Sequence, residues 1–161
     1  MTSMENYLLR LTKGMTLQSK SVAFSIDGFD VLHANMSSTE LYDILADTAE
    51  AIATGLKRTE HLITYCGNGN FVAVCHKSAN LHDDTLLFDI QSALDSFEPC
   101  FDNGRPCPLT LKQSKCYAPG LLASLDGLNL LIKPLKLLRE DTNSQPSAKL
   151  TSFFRPFEPA M

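Results

Sequence analysis

The sequence predicts an α+β domain in which an antiparallel sheet of βαββαβ order carries helices on one face, with further helices flanking it. Three observations predict it. Two β-prone runs, His61–Cys66 and Phe71–His76, enclose the stretch Gly67-Asn68-Gly69-Asn70, and Gly and Asn tolerate the positive φ angles that a tight hairpin needs. Apolar residues recur at helical spacing on both sides of that hairpin. One short apolar run precedes this arrangement and one alternating run follows it. The order is that of the split βαβ, or ferredoxin-like, arrangement.

In chain order, Asn6–Leu17 places Leu8, Leu11 and Met15 at the spacing of a short amphipathic helix. Val22–Ile26 is mostly apolar and ends at Asp27-Gly28, as a buried strand and its turn do. Ser37 and Glu40 form a capping-box pattern, after which Leu41, Ile44, Leu45, Thr48, Ile52 and Leu56 mark one face of a helix. Asp83-Asp84 opens a second helix with Leu86, Leu87, Ile90, Leu94 and Phe97 on one face. Leu109–Tyr117 alternates as a strand, and Leu125–Arg139 is helical with Pro134 expected to kink or break it. We divide the chain into a helical lead-in at 1–20, a domain at 21–141 and a tail at 142–161.

The 161 residues suffice for one domain with a buried core and no disulfide or metal staple. A hydrophobic fraction of 44% and a charged fraction of 20% are those of a globular chain. The formal charge of −4, from 14 Lys+Arg against 18 Asp+Glu, argues against a nucleic-acid binder, which needs clustered cations. No apolar run is long enough for a signal peptide or a membrane span, so a cytoplasmic chain without membrane insertion is expected. Cys66, Cys75, Cys100, Cys107 and Cys116 are odd in number, and no pair has zinc-knuckle spacing. Cys75-His76, His82 and the Cys100/Cys107 pair match no recognised metal site, and the thiols read as reduced and structural. We expect neither a metal nor a cofactor.

At the hairpin the sequence resembles a known family. Arg58-Thr59-Glu60-His61, five residues, then Gly67-Asn68-Gly69-Asn70-Phe71 and an apolar strand is similar to the R-x-x-D and G-G-D/E-E-F segment of GGDEF domains, the bacterial diguanylate cyclases. Val22–His33 resembles that family's first strand and turn, L-D-I-D-x-F-K-x-x-N, and Ser38-Thr39-Glu40-Leu41 falls where its next helix begins with G-D-E-V/L. The resemblance covers roughly residues 20 to 140, which leaves no room for an attached sensor or output domain. It implies a nucleotide-cyclase-like version of the fold.

The family joins two GTP molecules, one on each partner of a head-to-head dimer, with divalent metal held by anionic oxygens. By the resemblance, its first-strand aspartate corresponds to Ser25 and its acidic hairpin positions to Gly69 and Asn70, all uncharged here. Asp27 stands two residues beyond the usual ligand position, at a strand end with Asp30. The guanine-reading positions correspond to His33 and Thr39, with Asn35 as the alternative to His33. The resemblance therefore implies an inactive domain with no catalytic residues. At the family's inhibitory site, Arg58 matches the arginine that holds cyclic di-GMP, while His61 replaces the aspartate that accepts from guanine. The hairpin looks closest to the GGDEF-like domain of BcsE-type cellulose-synthesis regulators, which keeps that aspartate.

Several readings stay open. The first is a catalytically dead GGDEF-like module that regulates a bacterial cyclic di-GMP or exopolysaccharide pathway through a protein partner, as monomer or homodimer. The second is a receptor for cyclic di-GMP or another guanine nucleotide through Arg58 and His61. The third is an unrelated ferredoxin-like interaction domain, in which Gly67, Asn68, Gly69 and Asn70 form a plain turn leading into Phe71. The tail's Phe153, Phe154 and Phe157 are expected to pack on the domain or on a partner.

Overall fold

A computed structural model describes residues 7–11, 13–81, 84–120 and 127–144. Its strands are β1 (Ser19–Ile26), β2 (His61–Tyr65), β3 (Asn70–His76) and β4 (Leu111–Gln113). Its helices are α1 (Lys13–Leu17), α2 (Phe29–Asn35), α3 (Ser38–Gly55), α4 (Asp84–Ser96) and α5 (Asn129–Ser144). The strands form one sheet in the order β2-β3-β1-β4, antiparallel at every junction. This is the expected ferredoxin-like order.

Side chains alternate across a strand, and β1 uses both faces. Val22, Phe24 and Ile26 join Phe71 and Ala73 of β3 beneath Ile44 and Ile52 of α3 and Leu86, Ile90 and Leu94 of α4. Ala23, Val72 and Val74 point to the opposite face, where Leu130 and Leu138 of α5 and the N-terminal Leu8 cover them. Phe24 and Phe71, opposite each other in the register, are among the largest fully buried side chains. Each such side chain contributes about 1.5–3 kcal/mol through burial.

The capping box forms as expected. Ser37 Oγ accepts from the Glu40 amide at 3.1 Å, and Glu40 Oε1 accepts from the Ser37 amide at 2.9 Å. On α4, Leu86, Ile90 and Leu94 are buried, whereas Phe97, expected on the same face, is 36% exposed because the helix ends at Ser96 before its position.

Four expectations are corrected. The N-terminal helix is split: the amides of Arg10 and Leu11 bond to the carbonyls three residues back, closing one turn before α1 starts at Lys13. That arrangement leaves the Leu8 carbonyl against Gly127, where a Cβ would come within 2.1 Å of it. Residues 29–35, where the sequence reading places no helix, form helix α2, started by Gly28 at φ +71° and anchored by the buried Phe29. The strand expected over 109–117 has a regular ladder only at Leu111–Gln113. Phe24 pairs with Gln113 but Ser21 pairs with Tyr117, so β4 carries one more residue than β1 across this interval, a bulge. Ser114 Oγ repairs the ladder there by accepting the Ala23 amide at 2.9 Å. Finally, of the kink or break expected at Pro134 the break does not occur: α5 continues through it, with Leu130 and Leu138, one turn to either side, buried.

Gly55 permits the contact between α3 and α4, because a Cβ there would meet Ile90 Cγ1 at 2.4 Å. Alanine is the better helix former by about 1 kcal/mol, yet overpacking a core costs about 1–3 kcal/mol. We expect Gly55→Ala to lower the urea midpoint, and an unchanged or raised midpoint would contradict this packing.

Candidate functional site

The residues matched to the family's reaction site meet where the hairpin turn abuts the end of β1. Ser25 stands opposite Asn70 on one side and opposite Lys112 on the other, so the three share one face of the sheet. The turn is built by positive φ at Gly67 (86°), Asn68 (54°) and Gly69 (77°). It is closed by the Cys66 amide on the Asn70 carbonyl at 2.8 Å. The Gly69 amide donates to the Tyr65 hydroxyl at 2.9 Å, and the Gly69 carbonyl accepts from the Ile26 amide at 3.0 Å. Phe71, next in the motif, is a core residue tilted against Tyr65, with ring centroids 5.0 Å apart.

Gly69 is the decisive position. It is buried, and an ideal Cβ on it would lie 2.6 Å from Phe29 Cγ and 2.8 Å from Phe29 Cβ. The Phe29 ring therefore occupies the space that a carboxylate side chain would need. The divalent cation that the resemblance implies does not fit the residues present. Ser25 and Asn70 offer only neutral oxygens, and hard cations are held chiefly by anionic ones. The nearest carboxylate, Asp27, is paired with Lys112 at 3.3 Å, an exposed pair worth about 0–1 kcal/mol. Lys112 thus brings a permanent positive charge to this sheet end.

The guanine-reading positions do not converge. His33 is exposed on α2, tilted against Phe29 at 6.1 Å, and Thr39 is exposed in the first turn of α3. Asn35 donates its amide to the Val31 carbonyl at 2.7 Å. Of the three, only Asn35 lines the neighbouring cleft of about 670 Å³, together with Val31, Leu32, Glu40, Phe101 and Arg105. Glu40 also ties down the far wall, since its Oε2 accepts from the Asp102 amide at 2.8 Å. That bond, and the one from Ser37, hold its carboxyl below the usual range.

Arg58 and His61 lie at the start of β2, at the end of the sheet remote from the turn. Arg58 is exposed and makes no hydrogen bond or ion pair among the described residues. The His61 Nδ1 is 2.7 Å from the Thr59 carbonyl, so that nitrogen is engaged locally. Among the described residues no three His, Cys, Asp or Glu side chains are grouped to hold a metal ion. His82, Phe153, Phe154 and Phe157 lie outside the described residues. Sequence reasoning missed the part played by Phe29 and Lys112. Phe29 is legible as a family match, but its seat on Gly69 depends on α2, and Lys112 reaches Ser25 only through the β1–β4 register.

No family model and no curated protein matches this chain. Solved structures do. The active GGEEF domain of a diguanylate cyclase from Vibrio cholerae is 15% identical, with a TM-score of 0.55 over 79% of this chain and 78% of that one. The GGDEF domain of the PA2567 protein from Pseudomonas aeruginosa is 12% identical, with a TM-score of 0.58 over 96% of this chain and 94% of that one. The diguanylate cyclase SiaD from Pseudomonas aeruginosa, solved in complex with its activator SiaC, is 13% identical. It gives a TM-score of 0.62 over 80% of this chain but only 48% of that one. The fold is that of GGDEF domains. Within the GGDEF-like fold, no helix among the described residues is long and apolar enough to cross a membrane.

Two predictions follow from the packing around β3. Gly69→Glu combines a left-handed backbone with a clash against Phe29, and we expect a loss of about 2–4 kcal/mol by urea unfolding. Cys75, buried in the core, has its thiol pushed up to about 11 chiefly by burial, then by the Cys116 thiol, with Lys20 opposing. Below the ordinary thiol value of about 8.5 both states are protonated. Above it the unfolded chain loses its proton first, so stability falls as pH rises toward about 11. The decline in urea midpoint over that range should be smaller in Cys75→Ala, and an equal decline in both proteins would contradict this assignment.

Proposed function

We propose that this chain is a catalytically inactive GGDEF-like binding module that regulates a bacterial cyclic di-GMP or exopolysaccharide pathway through a protein partner. The observation that carries this reading is the sheet end where Ser25, Gly69 and Asn70, the positions matched to metal ligands, carry no carboxylate. The geometry leaves no anionic oxygen at the three positions matched to metal ligands, and a cyclase needs metal to activate its attacking hydroxyl. A fold kept while its reaction chemistry is lost retains its surfaces, and function resides in sites grafted on a fold. The SiaD structure, a GGDEF-domain neighbour held with its activator protein, is a precedent for protein regulation on this fold.

Incubation with GTP and Mg²⁺ or Mn²⁺ tests the negative half, with no cyclic di-GMP expected by chromatography; its appearance overturns the reading. The positive half is tested by identifying what co-purifies with the tagged protein from its native host.

A second reading rests on the exposed and unengaged Arg58 guanidinium. An arginine can fork onto phosphate or stack on guanine, which makes cyclic di-GMP its candidate ligand. Here calorimetry is expected to show binding that Arg58→Ala abolishes, and binding unaffected by that substitution would discard the site.

A further inference from the structure

Among the described residues strand β2 is an edge strand, paired with β3 on one side. The Cys66 amide bonds to Asn70 of the opposite strand, and antiparallel ladders alternate. Leu62 and Thr64 therefore direct their backbone groups toward β3, while those of His61, Ile63 and Tyr65 point away from the sheet. None of these outward groups has a hydrogen-bond partner among the described residues. Natural edges are commonly blunted by lysine, proline or a bulge. The segment His61-Leu62-Ile63-Thr64-Tyr65 has none of them, and Leu62 and Tyr65 are 42% and 39% exposed.

Beside this edge opens a cleft of about 550 Å³, between Tyr7, Leu11 and Met15 of the N-terminal segment and Leu62 and Val74 of the sheet. Leu62 and Val74 stand directly opposite each other and share a face, so a strand added outside β2 would direct alternate side chains toward this cleft. The same end of the sheet carries exposed Lys57, Arg58 and Lys77 beside the acid Glu60 among the described residues.

We infer that the β2 edge takes up an extended segment of a partner protein as a fifth strand. That segment places an apolar side chain in the cleft and acidic residues beside Lys57, Arg58 and Lys77. Main-chain hydrogen bonds supply affinity and the alternate side chain supplies selectivity. A second copy of this chain is the poorer occupant. Antiparallel self-pairing about Ile63 would set Thr64 opposite Leu62 and leave the cleft without an apolar side chain. It would also lay the cationic end beside the partner copy's Gly67-Asn68-Gly69-Asn70 turn, which has no acid. The inference deepens the protein-binding reading and rests on it, but it is independent of whether GTP is turned over.

A phage library of random twelve-residue peptides, selected on the full chain, tests it. The expected consensus alternates apolar residues and carries acids at one end. A synthetic peptide of that consensus should lose at least about tenfold in affinity when alternate amides of one register are N-methylated, and little when the other register is methylated. Leu62→Asp should weaken it by a similar factor, with circular dichroism confirming the fold. Failure to enrich any peptide overturns the proposal. Binders insensitive to both backbone methylation and Leu62→Asp also overturn the edge site, while leaving a protein-binding role located elsewhere.

Discussion

Strand β1 is paired on both edges and covered on both faces, and this double constraint organises the molecule. Val22, Phe24 and Ile26 must be apolar because α3 and α4 lie over them, while Ala23 must be small and apolar because α5 lies over it. A register slip of one residue would exchange the two sets. The β1–β3 pairing is thereby fixed, and with it the position of the hairpin turn at the end of β1. At that end Ser25 and Asn70 are partly exposed among the described residues.

At that end of the sheet the hairpin turn packs against the start of α2. The amide of Ile26 bonds to the Gly69 carbonyl, and the Phe29 ring lies on the Gly69 backbone. One aromatic side chain thus joins the start of α2 to the hairpin turn. A glycine at a positive φ is the only residue that accommodates both the turn and the ring.

The opposite end of the hairpin is constrained far less. Among the described residues strand β2 pairs with β3 alone, none of its residues is fully buried, and its outer backbone groups have no hydrogen-bond partner. Arg58 and the neighbouring lysines crowd the same end.

The βαββαβ order, the capping box at Ser37 and Glu40, and the hairpin were legible because each rests on short-range signals: side-chain period, cap chemistry and residues that accept positive φ. The neutral residues Ser25, Gly69 and Asn70 were legible for the same reason, as identity at a position. Helix α2 was not, because a short segment with only Phe29 and Leu32 turned inward carries too little periodicity. Nor was the β4 bulge, since Leu109–Tyr117 alternates whether or not one residue is left over opposite β1. The sequence by itself determined the order of the elements and the residue types at the hairpin. Only the tertiary structure decided that Phe29 fills the space above Gly69, that Lys112 lies opposite Ser25, and that β2 has one strand neighbour among the described residues. Those three facts depend on contacts between residues far apart in the chain, which no local pattern encodes.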